Sequence, residues 1–485
     1  MGSLNLKIIF RFLGLTAVLN GVFMFIAIPF SMYHQEVAQM GILNAGIVTV
    51  FIGLILYFFN KPTSTNIQKK EGYLIVTLGW LTLSITGMLP YLFTGTIPSI
   101  TNAFFETLSG YSTTGSSILT DIEAMPKGIL FWRSATHWIG GMGIIVLTIA
   151  ILPLLGIGGM QLFMAEAPGP SADKLHPRIT DTAKRLWLIY VTLTFAEFFL
   201  LKVAGMSWFD AINHAMATVS TGGFSTKSGS IGAFNSAGID YVSSIFMILA
   251  SLPILIYLQI YKGKISNFFK DQQINTFLAI IILSCTLVVF YLWFYNIKDI
   301  SDAIRHGLFN VISIITGTGY TTDNYNLWGA FPIYLLFFGM FVGGCAGSTT
   351  CGIKVFRFQI LFETARNQIK KILHPHGVFI SHYNNKKLSD DVVTSVMSFF
   401  FIFILSFIII TLLLSTTQLD FITSLSAAAT SLANVGPGLG SSIGPEGNFF
   451  GIPFGAKWIL IFAMLIGRLE LFTVLVLVMP QFWKK

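Results

Sequence analysis

The chain has 485 residues, 54% of them hydrophobic and 10% charged, against roughly 25% charged residues in a soluble domain. So few charges cannot wet a surface, and a mean hydropathy of +0.74 excludes a soluble enzyme in favour of a polytopic membrane protein. The net charge of +8 reads as a topology signal, so no nucleic-acid partner follows from it.

Met1 to Arg11 run into an apolar segment without a small-residue cleavage site, which predicts a retained first helix rather than a removed leader. Apolar runs then fall at 10–31, 41–60, 72–95, 129–155, 185–206, 241–261, 275–297, 330–353, 392–415 and 456–480, ten spans of about 20 residues each. Four semi-apolar stretches, 101–114, 208–222, 300–318 and 420–435, are too short to cross and read as re-entrant. Of the 29 Lys and Arg, 21 lie in the N-terminus, the linkers 61–70, 157–185, 262–272 and 354–391, and the tail. Those segments, and with them both termini, are expected on the cytoplasmic side. Cys285, Cys345 and Cys351 have no paired spacing, so neither a disulfide framework nor a zinc site follows, and they read as packing residues.

With this topology all four re-entrant stretches enter from the outer side. The predicted fold is all-α: two leading helices (1–70), then four helix, half-helix, helix repeats around one path. The repeats are expected at 71–160, at 161–272 with a cytoplasmic linker, at 273–375 with a broken second helix, and at 376–485. The repetition is visible in the letters. The half-helices lead into Ser112-Thr113-Thr114-Gly115, Ser220-Thr221-Gly222-Gly223, Thr316-Gly317-Thr318-Gly319 and Ala433-Asn434-Val435-Gly436, each with glycine fourth.

Backbone at membrane depth that is neither helix nor closed strand must be buried in protein or line a watery path. Four such loops imply that they meet, and carbonyls turned to a common axis replace the hydration shell of a monovalent cation. Glycine suits a carbonyl directed by φ > 0. Half-helix C-terminal ends stopping near the midplane favour a cation beneath the loops, while Asp210, Asp302 and Asp420 suit the outer, N-terminal ends and Glu106 fits less well. The alternative for any one Thr/Gly run is tight helix packing.

Gly343-Gly344-Cys345-Ala346-Gly347-Ser348-Thr349-Thr350-Cys351-Gly352 interrupts a predicted span, and each glycine costs a helix about 1 kcal/mol relative to alanine. It reads as an intramembrane loop or, alternatively, as a small-residue packing face. Arg468 falls at the centre of the last predicted span, where a charge needs a cavity or a partner. Glu470, two residues on, points elsewhere, so carbonyls of the Gly343 to Gly352 segment or Glu197 are the expected partners, a structural ion pair being the plain alternative. His137 and His214 read as packing residues, having no second ligand at metal spacing.

At these residues the sequence resembles the Trk, Ktr and HKT potassium uptake superfamily, most closely its bacterial TrkH branch, over nearly the whole chain. The leading pair, His137-Trp138-Ile139-Gly140-Gly141-Met142-Gly143, the run Gly343 to Gly352 and Gly467-Arg468-Leu469-Glu470 carry the resemblance. It implies potassium uptake across the bacterial inner membrane through a four-loop filter lined by Thr113, Thr114, Gly115, Thr221, Gly222, Gly223, Gly317, Thr318, Gly319, Asn434, Val435 and Gly436. Gly115, where some plant members that pass sodium carry serine, implies potassium preference. The fourth loop departs most from the threonine-glycine pattern, through Asn434 and Pro437. The resemblance further implies a gate formed by Gly343, Gly344, Gly347, Ser348, Thr349, Thr350, Gly352 and Arg468. It also implies a homodimer and a cytosolic nucleotide-binding (TrkA-like) regulatory ring. Any NAD or ATP is expected on that ring, and no cofactor on this chain beyond the transported potassium ion. Lys174, Arg178, Lys184, Arg185, Arg357, Arg366, Lys370 and Lys371 offer docking charge, which positive-inside anchoring explains equally. A membrane-embedded enzyme lacks clustered acids and bases in the spans. Two rivals to a potassium channel-like pore are kept: a proton- or sodium-coupled symporter, and a pore that also passes sodium.

Overall fold

The computed structural model describes residues 4–61, 67–155, 179–384 and 386–484, with backbone alone at 69, 144–155, 179–182 and 386. The boundary expected at 160/161 and the docking residues Lys174 and Arg178 lie outside the described residues.

Two long apolar helices lead: α1 (Leu6–Tyr33) and α2 (Ala38–Phe59). Gly14 and Gly53 bring them together so closely that a Cβ on either would meet the other's carbonyl at 2.6–2.7 Å, the small-residue packing that membrane helices use. The first repeat is α3 (Lys69–Gly87), half-helix α4 (Ile100–Tyr111) and α5 (Lys127–Leu155). The second is α6 (Ile179–Val203), half-helix α7 (Trp208–Val219), then α8 (Ala237–Ala250) and α9 (Ile254–Tyr261). The third is α10 (Gln272–Phe294), half-helix α11 (Ile300–Ile315) and α12 (Ala330–Gly339), followed beyond a loop by α13 (Val355–Leu373). The fourth is α14 (Asp390–Ser415), half-helix α15 (Phe421–Ala433), then α16 (Phe454–Arg468) and α17 (Phe472–Val478). A two-stranded hairpin, His382–Tyr383 with Lys386–Lys387, lies between α13 and α14. The fold is thus the predicted leading pair plus four helix, half-helix, helix repeats.

Among the described residues six helices are long and apolar enough to cross a membrane, or eight when each sharply bent pair counts as one span. The other two predicted spans are α5, kinked at Gly143 (φ 68°), and α12 with the non-helical chain after it. Two runs read as continuous are not: α8 and α9 meet at 91°, α16 and α17 at 118°. Pro253 explains the first, since it cannot donate the helical hydrogen bond. At the second, Glu470 and Leu471 take φ of 53° and 51°, a left-handed pair that apolar letters do not announce. Arg468 is therefore not mid-span; it is the last residue of α16, at the corner.

Serine or aspartate starts all four half-helices, Asp299 without a side-chain capping bond. Ser99, Ser207 and Asp420 accept the backbone N–H of Asn102, Asp210 and Thr423 at 3.5, 3.0 and 3.1 Å, which satisfies one orphan donor of each first turn. The buried apolar residues form two main bodies. One joins the leading pair with repeats one and four, the other joins repeats two and three. Asn20 ties the leading pair to the first half-helix: it donates to Thr86 Oγ1 at 2.8 Å and accepts from the Tyr111 hydroxyl at 2.6 Å.

Candidate functional site

All four half-helices end in the same turn. After Ser112, Ser220, Thr316 and Ala433 the chain enters a left-handed residue: Thr113 (φ 53°), Thr221 (53°), Gly317 (70°) and Asn434 (54°). The next N–H reaches back five residues, Thr114 to Ser109, Gly222 to Ala217, Thr318 to Ser313 and Val435 to Thr430, at 2.8–2.9 Å. This is a Schellman-type cap. Glycine and asparagine accept that conformation; threonine is β-branched and strained in it.

The fourth residue of each loop is again left-handed: Gly115 (φ 83°), Gly223 (81°), Gly319 (80°) and Gly436 (113°). A Cβ on Gly115 would collide with the carbonyl of Gly222, one on Gly223 with that of Thr318, and one on Gly319 with that of Val435. On Gly436 it would meet the Thr114 carbonyl at 2.7 Å. Each loop's third carbonyl therefore lies against the fourth-position glycine of the loop before it, and the four loops close a ring in chain order. One cavity of about 120 Å³ touches all four glycines, residues that follow them such as Ser116, Lys227 and Glu446, and Arg133 of α5.

Side chains lock neighbouring loops together. Arg133 Nη1 donates to the Ser225 carbonyl at 2.9 Å, the Tyr320 hydroxyl to the Phe224 carbonyl at 3.3 Å, the Tyr325 hydroxyl to the Gly438 carbonyl at 3.3 Å, and Ser116 to the Gly436 carbonyl at 2.9 Å. Asn434 Nδ2 adds a bond to Thr114 Oγ1 at 2.8 Å, so the most divergent loop is joined to the first.

On the half-helix side of the ring lies the chain 340–354, which is not helical. Gly347 and Gly352 have φ of 76° and 72°. The Cys345 N–H donates to the Ser251 carbonyl and the Ile254 N–H to the Gly347 carbonyl, both at 2.9 Å, fixing this loop to the bend between α8 and α9. Ser348 bonds Thr350 across its turn at 2.8 Å, and the Gly344 N–H donates to Thr350 Oγ1 at 3.0 Å. Gly343 pairs with Ile353 where the loop closes on itself. Thr349 donates to the carbonyls of Val219, the last residue of α7, and of Ala250, each at 3.1 Å.

Arg468 reaches into this junction. Its Nη1 donates to Thr113 Oγ1 at 3.0 Å, to the Thr349 carbonyl at 3.2 Å and to Cys351 Sγ at 2.9 Å, while Nη2 donates to the Gly140 carbonyl at 2.5 Å. Of the two expected partners, the loop carbonyls are present and Glu197 is not: Glu197 is buried beside Thr218. Nor is there a carboxylate on Arg468 among the described residues. The nearby ion pair joins Glu470 to Arg357, and Lys354 bonds Thr350 Oγ1 at 3.0 Å.

Gly140, Gly141, Cys351 and Lys354 escaped the sequence reading as members of this junction. The first two carry a signal in the letters, because three glycines in Gly140-Gly141-Met142-Gly143 weaken a helix, which kinks at Gly143. Cys351, read as inert packing, instead takes a hydrogen bond from a guanidinium. His214 is satisfied on both nitrogens, by the Asp210 carbonyl at 2.8 Å and Ser225 Oγ at 2.9 Å. His137 bonds the Gly110 carbonyl at 2.6 Å and stacks on Phe224, ring centroids 3.9 Å apart.

A family profile described as TrkH, cation transport protein, matches residues 38–485. The Trk system potassium uptake protein TrkH of Escherichia coli (strain K12) is 39% identical over 489 residues, covering 99% of this chain and 100% of that protein. The Trk system potassium uptake protein TrkG of the same organism is 32% identical, with both chains covered in full. The crystal structure of the potassium transporter TrkH from Vibrio parahaemolyticus superposes with a TM-score of 0.90 at 35% identity, covering 99% of this chain and 100% of that one.

Proposed function

The chain belongs to the TrkH family of cation transport proteins, and from that premise we propose that it takes up potassium across the bacterial inner membrane through the ring of four loops. One observation carries the reading: four glycines with φ of 80–113°, each packed on a carbonyl of the next loop. Backbone held in that way presents carbonyl dipoles to a bare monovalent ion at a fixed spacing. The filter is assigned to Thr113 to Gly115, Thr221 to Gly223, Gly317 to Gly319 and Asn434 to Gly436. The functional units are the leading pair 1–70 and the repeats 71–160, 161–272, 273–375 and 376–485.

The gate is assigned to the loop holding Gly343, Gly344, Gly347, Ser348, Thr349, Thr350 and Gly352, locked by Arg468. A guanidinium at that point repels a cation and donates to several oxygens at once. Partners are a second copy of the chain and a cytosolic nucleotide-binding ring that carries any nucleotide. The exposed bases Lys184 and Arg185 and the basic helix α13, with Arg366, Lys370 and Lys371, offer the ring its docking charge. Both termini are cytoplasmic.

The test is ion flux into liposomes holding the purified protein, under separately imposed potassium, sodium and proton gradients. Potassium flux driven by membrane potential alone, and exceeding sodium flux, supports the pore. Potassium movement only when a proton or sodium gradient is supplied establishes a symporter instead.

A further inference from the structure

We infer that Glu106, His214 and Asn310 are positioning residues that set the discrimination among monovalent cations, acting through the chain that leaves each filter glycine. The inference rests on the filter reading above and names residues outside it. The three occupy one register, six residues before Ser112, Ser220 and Thr316. All are fully buried on the half-helices, and each holds the residue two or three positions beyond its own loop's glycine.

Glu106 accepts from Ser117 Oγ at 3.0 Å and from the Ile118 N–H at 2.8 Å, with Arg133 Nε at 2.6 Å neutralising it. His214 gives its Nδ1 proton to the Asp210 carbonyl at 2.8 Å, so Nε2 accepts from Ser225 Oγ at 2.9 Å. Asn310 donates to Thr322 Oγ1 at 2.9 Å and accepts from the Thr322 N–H at 3.3 Å. The fourth repeat has Ala427 in this register. There Ser426, one residue earlier, accepts from the Leu439 N–H at 2.9 Å, and Thr430 Oγ1 accepts from the Gly436 N–H at 2.8 Å.

The chemistry therefore runs from carboxylate through imidazole and amide to hydroxyl while the job stays the same. Satisfying a buried polar group requires only some partner; here in three repeats the partner is the strand leaving the filter glycine, pinned to its own half-helix. A functional group must be held within about 0.5 Å of its working position. These bonds hold the loop at its outer end as the left-handed cap holds it at the inner end.

The test compares potassium and sodium flux through purified protein in liposomes, beside folded yield by size-exclusion chromatography. His214→Phe keeps the ring's bulk without the bond, Ser225→Ala removes the partner, Asn310→Leu repeats the loss in another loop, and His214→Gln returns an acceptor at the Nε2 position. The expected result is a potassium-to-sodium ratio lowered about fivefold in the first three variants, the size of one lost hydrogen bond, with recovery in His214→Gln. A ratio unchanged in folded Ser225→Ala and Asn310→Leu protein overturns the positioning role, as does a merely lowered yield at constant ratio. Absence of potassium preference in the unsubstituted protein defeats the functional reading instead.

Discussion

At Gly115 the space for a side chain is taken by the Gly222 carbonyl and φ is 83°, so serine there is opposed by both sterics and backbone conformation. Strain of about 1–3 kcal/mol on such a residue relaxes by moving a carbonyl. Gly115→Ser is expected to lower the potassium-to-sodium flux ratio about tenfold, since each decade corresponds to about 1.4 kcal/mol. Gly455→Ser, where a Cβ meets nothing within 4 Å, leaves the ratio unchanged in the same assay. Arg468 supports a sharper forecast than its sequence position did. Its partners are carbonyls, a hydroxyl and a thiol, so Arg468→Gln strands no carboxylate and folded yield holds. Hydrogen bonds to a charged group contribute about 1.5–3 kcal/mol each, and losing one from the closed arrangement raises basal potassium flux about tenfold or more. Poor yield with unaltered flux per folded molecule would show that Arg468 only holds the fold.

Among the elements, the chain 340–354 is bonded to α7 through Thr349 and to the bend after α8 through Cys345 and Gly347. Deleting Gly347 and Ser348 at its tip removes the Ile254 bond without touching the half-helices. Uptake normalised to folded protein is then expected to rise and to depend less on the proposed cytosolic ring; a fall in folded protein at constant normalised uptake would mark the loop as packing. Much of this was legible in the letters. Ten apolar runs, four half-length runs and a glycine in each fourth position gave the element order, because hydropathy and glycine placement respond directly to membrane depth and to φ. Pro253 announces the bend after α8, because an imino nitrogen inside an apolar run breaks a helix; the bend at Leu469 to Leu471 was hidden, since Leu469 and Leu471 are apolar whether or not they are helical. Arg468 was misplaced for the same reason. The Glu106, His214 and Asn310 register was also hidden, because three different side chains share one geometric task and only the contacts reveal it.

Across the whole molecule, the leading pair does more than add two crossings. Asn20 on α1 holds the Tyr111 hydroxyl at the last turn of the first half-helix and donates to Thr86 and to the Leu83 carbonyl of α3. Asn20→Leu leaves Tyr111 without its acceptor at a cost of about 1–3 kcal/mol, read as a lower melting temperature of the detergent-solubilised protein. An unchanged melt would show that α1 is only an appended anchor. The ring of loops has a further property that no single repeat possesses: a sense of rotation. Gly115 meets loop two, Gly223 loop three, Gly319 loop four, and Gly436 loop one, so bulk added at any glycine pushes on its successor rather than its predecessor. Four identical subunits set head to tail would share that sense of rotation; a single chain with four unequal quarters can in addition tune each of the four contacts separately.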